Sequence, residues 1–258
     1  MRPIAPTRGG DFTVKTYAKS HQGYVRLRNE DSWMMRPVDF DGYLIAVADG
    51  VGGGPSGGVA SRMAIEALDD AAGVEVRDSA RLVSAVSMAN RRVFDSGSEE
   101  ETLRGMGTTL TAAVVFPSRI LLAHVGDSRA YRLTGSRLDR LTTDHSVAGE
   151  MEKAGSLTHD EAMHHPRRHV LTRSVGNFNK IRVDVAELAW GTQDRLLLCT
   201  DGLSSVVTED EIVRLSLSYS GQELVDELIS AALTSGGPDN ITVVLAEVTQ
   251  DVGDADGR

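Results

Sequence analysis

The chain has almost no cysteine: Cys199 is the only one among 258 residues. That excludes an internal disulfide framework and every zinc or iron–sulfur site built on several thiolates. No hydrophobic run approaches the length of an apolar membrane span. The opening MRPIAPTRGGDF lacks the apolar core of a secretory signal. Basic charge is also short: 27 Lys and Arg face 37 Asp and Glu, a formal charge of −10. Non-specific nucleic-acid binding and docking on anionic lipid both need clustered cations, so neither nucleic acid nor a membrane is expected as a partner. The remainder is ordinary globular composition, 41% hydrophobic and 25% charged, which excludes bulk disorder. A cytoplasmic protein is expected, folded as one domain over 1–258 with loose ends over about 1–12 and 250–258.

Strand-like runs are Tyr43 to Ala48, Thr108 to Phe116, Ile120 to Val125, Arg129 to Leu133, Arg195 to Cys199 and Ile241 to Val248. VVFPSRILLAHVGDSRAYRL reads as consecutive antiparallel strands, turning at Pro117-Ser118 and again at Gly126-Asp127. Helical spacing governs Ala60, Met63, Ala64, Ala67, Leu68 and Ala71, and again Leu82, Val86, Ala89 and Val93. Capping boxes are expected at Thr208–Glu211 and Ser220–Glu223, and Gly236-Gly237-Pro238 stops the last helix. Paired helices and hairpin runs of strands predict an α+β fold, antiparallel sheets layered with helices outside.

Aspartates recur at the ends of apolar strands. Asp49, Asp127 and Asp201 each follow one, Asp239 precedes one, and Glu30-Asp31 closes RLRNED. A single Asp-Gly is common turn chemistry. Several carboxylates gathered at strand ends repel one another and need a cation to stay ionised together. Oxygen donors suit a hard ion, Mg²⁺ or Mn²⁺. A pair of such ions most often serves hydrolysis or transfer of phosphate esters. Arg26, four residues before Glu30, is the nearest planar cation for a phosphate.

Rival chemistries fail on spacing. A cysteine phosphatase needs Cys-x5-Arg, but position 205 is Ser, so Cys199 reads as a small residue in a buried strand. The glycine-rich stretch 52–58 lacks the Gly-Lys-Ser/Thr ending of a nucleotide loop, and Gly54-Pro55-Ser56-Gly57 reads as a turn into a helix beginning near Val59. His159, His164, His165 and His169 lack a zinc pattern and read as solvated or locally bonded. Asp254 and Asp256 read as solvent-facing charge.

Eight segments, in order, then carry a resemblance: GYVRLRNEDS (23–32), YLIAVADGVGG (43–53), GMGTTLTAAVV (105–115), HVGDSRAYRL (124–133), LTTDHS (141–146), HPRRHVLTRSVG (165–176), LLLCTDGLSSVV (197–207) and GGPDNITVVL (236–245). The chain resembles the PPM family, the type 2C metal-dependent protein serine/threonine phosphatases, in its short bacterial form. The resemblance implies a four-layer αββα sandwich and two Mn²⁺ or Mg²⁺ ions in a channel at the sheet ends. It implies that Asp49 bridges both ions, that Asp201 and Asp239 complete the first, and that Glu30 and the Gly50 carbonyl serve the second. Asp31 would orient water, Arg26 would grip the substrate phosphate, and Asp127 with Asp201 would hold a weaker third ion. Asn240 would brace the Asp239 loop, the threonines of GTT would lie under the site, and about 144–180 would form a flap. A hydroxide bridging the metals would attack phosphorus in line.

The chain departs from the family at three positions. Val51 stands where relatives carry Met or a proton-donating His, so no general acid is assigned and water on the metal is the expected proton source. Gly54 and Gly58 replace a usual His and Glu, which predicts altered local packing. The expected substrates are phosphorylated proteins, the expected counterpart a Hanks-type Ser/Thr kinase, and the expected state a monomer. A phosphatase-like binding module and a metal-dependent esterase or nuclease are the other classes to separate by experiment.

Overall fold

The central strands of this chain are apolar on both faces because both faces are covered. The computed structural model describes residues 12–52 and 56–250. The expectations for the chain ends, for Asp254 and Asp256, and for Gly54 and Pro55 lie outside the described residues.

In chain order the elements are β1 (Phe12–His21), β2 (Asp31–Val38), β3 (Gly42–Val51), α1 (Ser56–Ala72), α2 (Ser79–Glu99), β4 (Gly107–Thr108), β5 (Leu110–Phe116), β6 (Arg119–Val125) and β7 (Arg129–Thr134). There follow β8 (Arg137–Arg140), α3 (Val147–Lys153), α4 (His159–Met163), β9 (Asp184–Ala189), β10 (Asp194–Cys199), α5 (Asp201–Ser204), α6 (Glu209–Ser218), α7 (Gly221–Thr234) and β11 (Ile241–Gln250). One sheet runs β1-β11-β10-β7-β8; the other runs β2-β3-β5-β6-β9, with β4 beside β3. The paired strands are antiparallel.

The period-two alternation of each central strand feeds two separate cores. Leu44 and Ala46 of β3 face Ala60, Ala64, Leu68, Leu82 and Val86 of α1 and α2. Ile45 and Val47, one residue out of phase, meet Leu196, Leu198, Val244 and Ala246 of the opposite sheet. Leu197 and Leu245 pack under Ile212, Leu215, Leu224 and Leu228 of α6 and α7. Three apolar layers between four structural layers make this an α+β sandwich of the expected αββα kind. Cys199 is buried in β10, and burial pushes its thiol up to about 12, so it is a packing residue rather than a nucleophile.

The structure corrects four local readings. Strands β6 and β7 do not form a hairpin: Gly126–Ser128 carries the chain from one sheet to the other. Gly126 makes this crossing at φ +115°, with Thr109 packed where a Cβ would stand. Helix α1 begins at Ser56 rather than near Val59. Asp49 lies inside β3, because β4 continues the pairing through Gly50 and Val51. The cap at Thr208 forms, its side chain accepting from the Glu211 N–H. Ser220 makes no such bond; Gly221 stands at φ +56° and donates its N–H to Glu247 Oε1 at 3.2 Å. A full capping box instead opens α4, at Thr158–Glu161.

Candidate active site

Sheet register alone sets two carboxylates side by side, since Asp31 of β2 pairs directly with Asp49 of β3. Like charges directly across a ladder are unfavourable, so the surroundings must hold them. Asp49 is fixed through its backbone: its N–H donates to Thr109 Oγ1 at 2.8 Å, and its carbonyl accepts from Thr108 Oγ1 at 2.8 Å. Asp31 is fixed through one oxygen, Oδ2, which accepts from Thr200 at 2.9 Å and Thr242 at 2.6 Å. Its other oxygen, Oδ1, is buried without a partner. The crossing after β6 delivers Asp127, Asp201 opens α5, and Asp239 precedes β11.

These groups act on one another. Burial, with the charges of Asp201 and Asp239 adding, pushes Asp31 up to about 7 against its threonine hydrogen bonds. Burial and then Asp31, Asp201, Asp127 and Asp239 push Asp49 well above the carboxylate range. Asp127 is raised likewise, by burial first and then Asp201 and Asp144. Glu30 is raised by burial, opposed by Arg26 and Arg28. Arg26 Nη2 donates to Asp239 Oδ2 at 2.7 Å, and that bond raises the guanidinium further.

The donor set fits a divalent pair. It offers only oxygens, and Asp31 Oδ1 has nothing to bond. A Cβ on Gly57 would lie 2.8 Å from Glu30 Oε2 and 2.9 Å from the Gly50 carbonyl oxygen, so those two oxygens converge over a bare Cα. The side chains are gathered but not closed into a ligand shell: among the described residues no three His, Cys, Asp or Glu stand ready to hold one ion. Arg26 takes up Asp239, and His169 Nδ1 lies 3.1 Å from Asp201 Oδ2.

Asn240 ties the first loop to the last strand. Its Oδ1 accepts from the Glu30 N–H at 2.8 Å, and its Nδ2 donates to the carbonyls of Gln22 and Arg28. The amide therefore holds the Arg26–Glu30 loop, while its own N–H caps Asp239 Oδ1 at 2.8 Å. From the loop after α4, Arg168 and His169 reach a recess shared with Asp127, Asp201 and Ser204. His169 thus stands apart from His159, His164 and His165, which bond locally to Glu152, Asp160 and Arg167. Sequence reasoning missed His169, whose spacing carries no signal. It also missed Thr200 and Thr242, for which a hydroxyl flanking an otherwise apolar strand was the available clue.

Residues 19–240 match the family described as Protein phosphatase 2C. The chain is 37% identical over 240 residues to the serine/threonine phosphatase stp of Listeria welshimeri, covering 89% of this chain and 94% of that one. It superposes on the crystal structure of the Mycobacterium tuberculosis serine/threonine phosphatase PstP/Ppp with a TM-score of 0.81 at 36% identity, covering 91% of this chain and 98% of that one. A structure of the catalytic domain of PstP in complex with two manganese ions superposes at 0.82 with 33% identity, covering 93% and 100%.

Proposed function

The chain belongs to the protein phosphatase 2C family, and on that footing we propose that it hydrolyses phosphoserine and phosphothreonine esters of proteins with two divalent ions held by Glu30, Asp49, the Gly50 carbonyl, Asp201 and Asp239. The observation that carries the reading is a set of recessed carboxylates to which the fold supplies too few cations. Among the described residues no salt bridge reaches Asp31, Asp49 or Asp127, and one Asp31 oxygen is orphaned. The two manganese ions in the PstP structure support a divalent pair.

When bound, such ions activate water and neutralise charge on the phosphoryl oxygens. Arg26, exposed enough to exchange Asp239 for a ligand, binds two oxygens of the phosphate through its fork. Asp31 is oriented by Thr200 and Thr242, leaving Oδ1 to accept a hydrogen bond from the attacking water. Asn240 keeps the Arg26 loop and Asp239 in fixed relation. Asp127, at the recess beside Asp201, has the position for a third ion. The enzyme opposes a Ser/Thr kinase in the cytoplasm, as a monomer. The acidic balance and the lack, among the described residues, of a helix able to cross a membrane support that placement.

Release of phosphate from a phosphothreonine peptide tests the reading, measured with Mn²⁺, with EDTA, and with Asp239→Asn protein. Turnover is expected only in the first. No turnover by folded, Mn²⁺-loaded protein overturns it in favour of a phosphoprotein-binding module.

A further inference from the structure

Next to the phosphate-binding arginine the surface changes character. Val25 is 67% exposed and Leu27 94% exposed, with Tyr24 beside them at 69%. Scattered exposed apolar residues are ordinary, but three within four positions form a patch. They alternate with Arg26 and Arg28, both exposed, on a chain whose overall charge is −10. Among the described residues the Arg28 side chain has no hydrogen-bond or ion-pair partner.

This loop is not loose. The Tyr24 N–H donates to the Gly237 carbonyl at 2.8 Å, Gln22 Nε2 to the Arg26 carbonyl at 2.7 Å, and Asn240 to the Arg28 carbonyl at 2.9 Å. The backbone is pinned at both ends and the middle, so the apolar side chains are displayed in fixed positions. A ligand meeting them loses little entropy in ordering the loop. Val25, Arg26, Leu27, Arg28 and Glu30 line a cavity of about 440 Å³ that opens beside the site. Its one carboxylate, Glu30, is the group already assigned to a metal.

We propose that Val25, Leu27 and Arg28 form a docking ledge for the protein segment flanking the phosphoresidue, selecting substrates that carry an aliphatic and an acidic side chain close to it. The proposal rests on the phosphatase reading and names the substrate class for the same site. Charge decides the occupant: Arg26 is committed to the phosphate, so Arg28 is the free cation, and its complement is a carboxylate. Val25 and Leu27 supply the apolar contact between the two arginines.

The test compares phosphothreonine peptides that differ only within three residues of the phosphoresidue: Leu with Glu, Leu with Lys, and Gly with Ser. Each kcat/KM is read as a ratio to turnover of p-nitrophenyl phosphate with Mn²⁺. The wild-type ratio is expected to be about tenfold higher for Leu with Glu than for Gly with Ser. Arg28→Glu is expected to cost the Leu/Glu peptide about fivefold and to shift preference to the Leu/Lys peptide. Leu27→Ser is expected to lower both Leu-bearing peptides by about fivefold and the Gly/Ser peptide hardly at all. A wild-type enzyme indifferent to the flanks, or variants that lower all three peptides equally, overturns the ledge and leaves the phosphatase reading intact. Failure to release phosphate from any substrate overturns the phosphatase reading instead. In that case fluorescence anisotropy of the three labelled peptides in EDTA still decides the ledge, which falls if they bind equally or not at all.

Discussion

Asp144 and Asp194 are buried and Asp31 and Asp49 half-buried, yet the chain treats the two groups in opposite ways. Arg129 and Arg140 both bond Asp144, at 2.8 Å and 2.7 Å. Asp194 receives Arg132 at 2.6 Å, the Thr134 hydroxyl and the Gly191 N–H. Although burial works against ionisation, those partners hold both carboxyls below their ordinary value. Asp31 and Asp49 receive threonine hydroxyls or backbone contacts, and burial among other carboxylates lifts both. For Asp144 and Asp194 the fold brings its own cation; on the proposed reading, the cation for Asp31 and Asp49 comes from solution. Buried ion pairs cost much to break because one charge is left alone. Asp31 and Asp49 have no such pair to break, and burial raises both.

Removing one proposed ligand probes this contrast most strongly. Asp239→Asn is expected to lower Mn²⁺-dependent kcat by about 10³-fold, roughly 4 kcal/mol in the barrier, with little change in the urea unfolding midpoint. Full turnover by that variant would erase the distinction between the two groups. Next comes the structural side. Arg129→Met leaves Asp144 with half its compensation and is expected to cost about 3 kcal/mol in unfolding free energy, read from urea denaturation in saturating Mn²⁺. A third substitution reverses the sign: Asp49→Asn, in EDTA at neutral pH, is expected to stabilise the protein by about 2 kcal/mol, because it removes a buried carboxyl that must take up a proton on folding. Destabilisation there would mean that the site carboxylates are satisfied within the fold.

The finest test uses pH. Asp31, at about 7 in the folded chain against an ordinary 3.8, keeps a proton that the unfolded chain has released. Metal-free stability from this group is therefore present below about pH 4 and lost as pH rises towards 7, with a slope of no more than about 1.4 kcal/mol per pH unit. Asp184 runs the other way: against the effect of burial, Arg173 and His145 bring it down to about 2. Its contribution is full above about pH 4 and lost as pH falls towards 2. Unfolding curves in EDTA are expected to show Asp31→Asn flattening the upper limb and Asp184→Asn the lower. Interchange of those limbs would contradict the assignment of the two groups.

Helices α6 and α7 were legible from start and stop signals, and the apolar strands and the helices α1 and α2 because apolar periodicity reports burial directly. The six-residue run Tyr43 to Ala48 lies within β3 for that reason. Polar strands were not legible: β1 and β2, FTVKTYAKSH and DSWMMRPV, sit at sheet edges where one side meets solvent. The crossing at Gly126 read as a hairpin turn because nothing local distinguishes a change of sheet from a change of direction.

The acidic residues at strand ends, the absence of rival nucleophiles, and the family resemblance were all present in the sequence. Local chemistry and spacing are sequence properties, so a linear reading could name Asp49, Asp127, Asp201 and Asp239 as one candidate set. Which carboxylates have a cation from the fold, and which have none, depended on contacts between residues far apart in the chain. Asp31 meets Thr200 and Thr242 across 169 and 211 positions, and His169 reaches Asp201 from the loop after α4. Only the closing of two sheets against each other creates those neighbours, because burial and electrostatic partnership are properties of position in space and not of order along the chain.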